Sequence, residues 1–315
     1  MTEPTSTSTA RSSISDWFFR ERDIAALVFF RIIFGILGFA EVLGQYIYYG
    51  LMEGYFWPER FRFTYYGFQW LDVVPEPFFG MIVLSLMIAA LCILFGRFYR
   101  IATIWFFLGV TYLFVLEKAY YLNHGYFFCW LAFVMIFLPA NRAASGDVLK
   151  NPALRSSTTP GWTIDILKFL MGVVYFFGGI AKLNADWLRG IPLNIWLKYK
   201  KDMPLLGPVW DHDWTPYLMS YGGVFLDLFV VPMLLWRRTR ILALLMAAFF
   251  HITNTIVFKI GIFPWLSLAM SVLFFPSDLP RRWWRWAQRF RPTRRLQAWY
   301  DRRLSIHEKP PAVDV

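Results

Sequence analysis

Residues 175–190 read YFFGGIAKLNADWLRG. The segment ends a mostly apolar run over residues 163–181, long enough for a helix to cross a hydrocarbon layer with its backbone polar groups satisfied internally. Lys182, Asn184, Asp186 and Trp187 then follow at once. A spanning helix can end this way because its lysine snorkels to the headgroups. It can also end this way to hold the lysine at the edge of a dry pocket, where desolvation disfavours an ammonium and a neutral amine serves as a general base.

The rest of the chain repeats the apolar theme. Of 315 residues, 57% are hydrophobic and 21% aromatic, and the mean hydropathy of +0.43 lies outside the range of soluble domains. Runs of spanning length fall near 24–48, 78–96, 100–116, 122–139, 163–181, 216–236, 241–258 and 260–276. The expected fold is all-α, a polytopic helical membrane protein with about eight transmembrane helices, the last two forming a tight hairpin. Residues 1–20 read as a disordered tail, Ser/Thr-rich at the start and without the basic-then-apolar order of a signal peptide. Residues 21–280 form the transmembrane domain, and 281–315 a basic, aromatic segment.

The formal charge of +11 is spread over alternate loops. Arg20 and Arg22, Arg97 and Arg100, the 141–162 loop, Arg237 to Arg240 and the residues after Arg281 would all be cytoplasmic by the positive-inside rule, both termini included. In RRWWRWAQRFRPTRRLQAWYDRR, starting at Arg281, arginines alternate with Trp283, Trp284, Trp286 and Trp299. Because the segment abuts a span, its expected partner is the anionic surface of the lipid bilayer, not nucleic acid. Cys92 and Cys129 sit in apolar runs without metal-ligand spacing, so no metal is expected.

Ionisable groups inside spans are costly and are kept for function or pairing. Arg31 and Glu41 share the first span but stand roughly 15 Å apart along a helix, too far to pair. Arg31 is expected to snorkel or to bond carbonyls at the inner end, and Glu41 to face the bundle interior. Asn123 and His124 open the fourth span. His251 and Asn254 share a face of the seventh at i and i+3, which also fits a plain polar seam between helices. Asp227 in the sixth span would pair with a basic group or accept backbone hydrogens. The topology puts Asn123, His124 and Lys182 at one end of the bundle.

Together FRIIFGILGFAE, RFYRIATIWF, NHGYFFCWLAFVMIFLPAN, YFFGGIAKLNADWLRG, YGGVFLDL and FFHITNTIVFKIGIFPWL, in this order over roughly residues 24–280, resemble the membrane domain of vitamin K-dependent gamma-glutamyl carboxylase and its bacterial relatives, the horizontally transferred transmembrane (HTTM) family. The NHGYFF and YFFGGIAKLNADWLRG pieces are specific. The purely apolar stretches are not.

The resemblance implies that Lys182 deprotonates vitamin K hydroquinone or menaquinol. The quinol reacts with O2 on the way to its epoxide, generating a base strong enough to take a γ-proton from glutamate, and CO2 adds to the carbanion. It implies a second catalytic role for His124, with Asn123 beside it, and quinol-binding or supporting roles for His251 and Asn254. A lipophilic quinol also needs an aromatic rim, for which Tyr175 and Trp187 are candidates with Tyr120, Tyr121 and Tyr126. Arg31, Glu41, Asp186 and Asp227 are read as structural polar groups. The expected partners are the bilayer, the quinol, and a glutamate-containing peptide or small acid. The expected residence is a cell membrane, a bacterial inner membrane by the resemblance, with the site near the outer face. Only about 35 residues follow Pro280, where the carboxylase carries a large lumenal region, so carboxylation of a propeptide-bearing protein is not expected. The alternative function is a non-catalytic membrane factor that binds or matures a secreted peptide.

Overall fold

The computed structural model of the chain describes residues 14–44, 62–204, 207–258 and 260–289. After a short helix α1 (Ile14–Phe19) come α2 (Ala25–Val42), α3 (Glu76–Phe95), α4 (Tyr99–Val115) and α5 (Asn123–Met135). A small α6 (Gly146–Lys150) leads to the long α7 (Trp162–Ala181), and α8 (Ala185–Leu188), α9 (Ile191–Lys198) and α10 (Gly207–Trp210) carry the chain to α11 (Thr215–Leu235). The hairpin α12 (Arg240–Phe258) and α13 (Phe263–Val272) follows, then α14 (Leu279–Arg289).

Five of these helices, α2, α3, α7, α11 and α12, are long and apolar enough to cross a membrane, and α4, α5 and α13 are shorter apolar helices. The expected count of about eight thus resolves into five helices of spanning length and three below it. At 10 residues, α13 rises only about 15 Å, half a hydrocarbon thickness. The end of the first run, from residue 45, lies outside the described residues.

The bundle has an apolar core that also buries a few charged and polar groups, and its outer surface is apolar as well. Arg31, Asp227 and His251 are buried, whereas Leu84, Ile88 and Phe95 of α3, Phe169, Phe176 and Phe177 of α7 and Leu242, Leu245 and Phe249 of α12 are exposed. In water that arrangement would present an extensive aggregating surface. In lipid it is the expected one. Among the described residues the protein is an all-α membrane protein apart from one two-stranded clasp.

That clasp, β1 (Glu21–Asp23) against β2 (Thr158–Pro160), runs antiparallel with Arg22 opposite Thr159. It departs from the all-α expectation because Arg22 makes a two-point ion pair with Asp165 at 2.7 Å, pinning the chain entry beside the start of α7. The expected tail also gives way to α1 over residues 14–19, where Trp17 lies under the Arg22 guanidinium at 5.4 Å. Residues 1–13 and 290–315, including Trp299, lie outside the described residues.

Segments expected on one side of the membrane gather at one end. Arg31 reaches the carbonyls of Ala140, Ala143 and Ala144 at 2.8, 3.1 and 2.6 Å, which is the carbonyl-bonded alternative and not the snorkelling one. Gly96 caps α3 in the left-handed region (φ 61°), and a Cβ there would come within 2.8 Å of the Arg31 Nη1. Arg281 makes a two-point pair with Asp23 at 2.9 Å, and Trp283 packs edge-on against Phe29, so α14 lies against α2. At the other end the Lys118 N–H donates to the Phe63 carbonyl at 2.7 Å and the Phe63 N–H to the buried Glu117 carboxylate at 3.2 Å.

Candidate functional site

The YFFGGIAKLNADWLRG segment ends α7 and builds the corner after it. Lys182 is the C-cap of α7. Its Nζ donates to the Asp227 Oδ2 and, at 3.2 Å, to the Gly178 carbonyl, and stands 5.4 Å from the centre of the Trp187 ring, within cation–π range. Asp227 is 7% exposed, so the lysine is turned into the bundle against a buried carboxylate. The snorkelling alternative is set aside for that reason, and Asp227 takes the basic partner expected of it.

Glycines make this pairing geometrically feasible. A Cβ on Gly179 would lie 2.5 Å from the Leu228 Cδ2, and one on Gly178 would lie 3.2 Å from the Asp227 Oδ2. Both glycines therefore let α7 approach α11 at the point where the pair forms. Beyond Lys182, the Asn184 side chain caps α8 by accepting from the Trp187 N–H at 2.9 Å, and its amide donates to the Ala181 carbonyl at 2.9 Å. Trp187 is tied to α11 twice, through its indole N–H to the Ser220 carbonyl at 3.2 Å and through its own carbonyl to the Ser220 hydroxyl. Asp186, exposed in the first turn of α8, takes no part in the cluster.

A second cluster lies on the same face of α7. Tyr175 precedes Lys182 by seven residues, two helical turns or roughly 10 Å, and its hydroxyl hydrogen-bonds the His251 Nε2 of α12. Tyr175 is 4% exposed, so it belongs to the interior and not to an aromatic rim. The Phe263 ring of α13 lies 5.9 Å from that of His251 and 6.2 Å from that of His124. Rings from α7, α12, α13 and α5 thus form one continuous row. The His251 Nδ1 is buried without a hydrogen-bond partner among the described residues. His124 is half-buried, Asn123 is exposed at the start of α5, and Asn254 is half-buried one turn beyond His251.

The structure therefore brings together Lys182, Asp227 and Trp187, and separately His124, His251 and Tyr175, with α7 joining the two groups. Glu41 is half-buried and lines a cavity of about 80 Å³ between α2, α4 and α5, beside Glu117, Gly125 and Cys129. That cavity adjoins the start of α5, and neither Lys182 nor His124 lines it.

A family model for the HTTM domain matches residues 19–279. The chain belongs to the HTTM family. The HTTM domain is associated with vitamin K-dependent carboxylase-like membrane proteins. No solved structure matches the chain. Within this HTTM chain, three features of the site escaped the sequence reading: Ser220, Phe263 and the close approach at Gly179. The Gly178–Gly179 pair was a signal for the last of these alone, since adjacent glycines in a spanning helix mark a tight helix contact.

Proposed function

We propose that the protein is a quinol-oxidising membrane enzyme of the vitamin K-dependent carboxylase type, embedded in a cell membrane with about eight helical passes, some of them short, and both termini cytoplasmic. The observation that carries this reading is the Lys182 amine, held inside the bundle by Asp227 on the same face of α7 as the Tyr175–His251 pair. A lysine with no role in chemistry would lie more stably in the headgroups, because burying an ion pair costs several kcal/mol of solvation that its own attraction only partly returns.

A bound hydroquinone would supply two hydroxyl protons and, with O2, the oxidation to the epoxide. Toward such a ring the chain offers a base, an aromatic wall and unpartnered polar atoms. Lys182 is the base: a proton crossing the hydrogen bond to Asp227 leaves an amine beside a carboxylic acid with no change in net charge, and the amine then takes a quinol proton. Asp227 fixes the amine in place, and Trp187, itself tied to Ser220, closes one side. The His251 Nδ1, without a partner among the described residues, and the half-buried His124 would meet the ring, and the packed rings beside them would exclude water. CO2 and a glutamate-containing acceptor belong to the later carbon chemistry, to which His124 and Asn123 are assigned.

The test is to give purified protein reduced vitamin K, and separately menaquinol, in the presence of O2 and to follow the quinone products by mass spectrometry. Epoxide formation supports the reading. Its absence with both quinols gives precedence to a non-catalytic, peptide-binding role.

A further inference from the structure

The corner after Lys182 holds a second, polar feature. Between α8–α9 and the approach to α11 lies a cavity of about 130 Å³. Residues that carry N–H donors line it from separate segments: Arg189 from the end of α8, Asn194 and Lys198 from α9, and Trp210. Trp210 is 8% exposed, and its Nε1 is buried with no partner, although a buried indole N–H normally finds one. The acids on the wall are Asp211 and Asp213. Asp211 is already occupied, ion-paired with Lys201, whose hydrogen bond and charge hold the carboxyl below its usual range. Among the described residues Arg189 and Lys198 have no acidic partner. Two free cations thus face one free acid, leaving a surplus of one positive charge.

We propose that this cavity binds a carboxylate, that of a glutamate side chain or of a free acid of similar size, and holds it at the end of the bundle where Lys182 stands. Guanidinium, ammonium, amide and indole N–H groups all donate, as an acceptor-only carboxylate requires. A surplus of one charge suits a monoanion better than a phosphate monoester carrying about two. The cavity and the Lys182–Asp227 pair share their supports: Trp187 adjoins Lys182 and lies two residues before Arg189, and Gly190 packs against Pro216 on the cavity wall. The assignment of this carboxylate as the acceptor in the carbon chemistry rests on the proposed function. The binding itself does not.

The experiment is equilibrium dialysis with the purified full chain in zwitterionic nanodiscs, without quinol. The probes are butyrate, a blocked peptide with one glutamate, the same peptide with glutamine, and inorganic phosphate. Saturable binding of butyrate or of the glutamate peptide, but not of the glutamine peptide, is expected. The tighter of the two tells a free acid from a peptide. Arg189→Gln and Lys198→Gln should each weaken it about 10-fold or more, the size of one charge-assisted hydrogen bond. Trp210→Phe, which keeps the ring and removes the N–H, should weaken it several-fold. Equal binding of the two peptides, tighter binding of phosphate than of either carboxylate, or no change in the Arg189 and Lys198 variants would overturn the proposal. Carboxylate capture by a protein that forms no epoxide would sink only the quinol reading, and epoxide formation without carboxylate capture would sink only this one.

Discussion

Replacing Asp227 by leucine leaves the Lys182 ammonium with the Gly178 carbonyl as its remaining hydrogen-bond acceptor. Removing one member of a buried ion pair costs ~3–5 kcal/mol. The low end applies here, because the lysine side chain is 23% exposed while that of the aspartate is 8% exposed, so water reaches the stranded ammonium. A loss of about 3 kcal/mol corresponds to a fall in unfolding temperature of roughly 4–5 °C for a chain of this size. Lys182→Leu strands the carboxylate instead and should cost at least as much. The double variant Lys182→Leu/Asp227→Leu strands neither group and should return to within about 1 kcal/mol of the parent, since a well-packed apolar pair replaces a buried ion pair at little cost. Thermal unfolding of the four proteins in one detergent, read by intrinsic fluorescence, completes the cycle. If both single variants unfold within about 1 °C of the parent, Lys182 is solvated in the headgroups and the buried pair is refuted.

Three further outcomes follow from other contacts. Gly179→Ala places a methyl against Leu228 and should destabilise by about 1–3 kcal/mol, the usual cost of overpacking, while Gly222→Ala, which meets open space, should change stability little. Tyr175→Phe leaves the His251 Nε2 without its partner and should cost about 1–3 kcal/mol, measured by the same unfolding assay. Docking of α14 should be lost at acid pH. Burial alone would raise the Asp23 carboxyl, but the hydrogen bond from Arg281, that from the Ala25 N–H and the Arg281 charge together outweigh it and hold the folded value below the ordinary one. Stability from this pair is therefore complete above the ordinary carboxylate range and falls away as the pH drops through the lowered value. Fluorescence of Trp283 in a variant lacking the other tryptophans of α14 should follow that transition, and Asp23→Asn should remove it.

The membrane character was legible because it is a property of composition and run length, which need no tertiary information. The Arg-bearing segments around Arg22, Arg97 and the 141–162 loop were legible as connections, and the structure places them together at one end. Helix ends were harder to read. The run 260–276 contains only a 10-residue helix, because hydropathy cannot distinguish helix from the apolar turns that flank it. The β1–β2 clasp was invisible, being three residues on each strand and fixed by a contact between Arg22 and Asp165 that lie 143 positions apart. At the site, Lys182 and Asp227 were each recognisable as polar groups out of place in a span. Their pairing was not, because it depends on the register of α7 against α11 that Gly179 sets. The row through Phe263 had no signal at all, since a phenylalanine in an apolar helix resembles every other.

The measurement that bears most directly on Lys182 as the quinol base uses the double variant Lys182→Leu/Asp227→Leu, whose fold the unfolding cycle checks independently. Parent and variant are incubated with the same reduced vitamin K and O2, and the epoxide is quantified. The parent should form epoxide, and the equally stable variant should form none above the protein-free control. Epoxide from the variant at the parental rate, or none from the parent with any quinol, would contradict a base at Lys182.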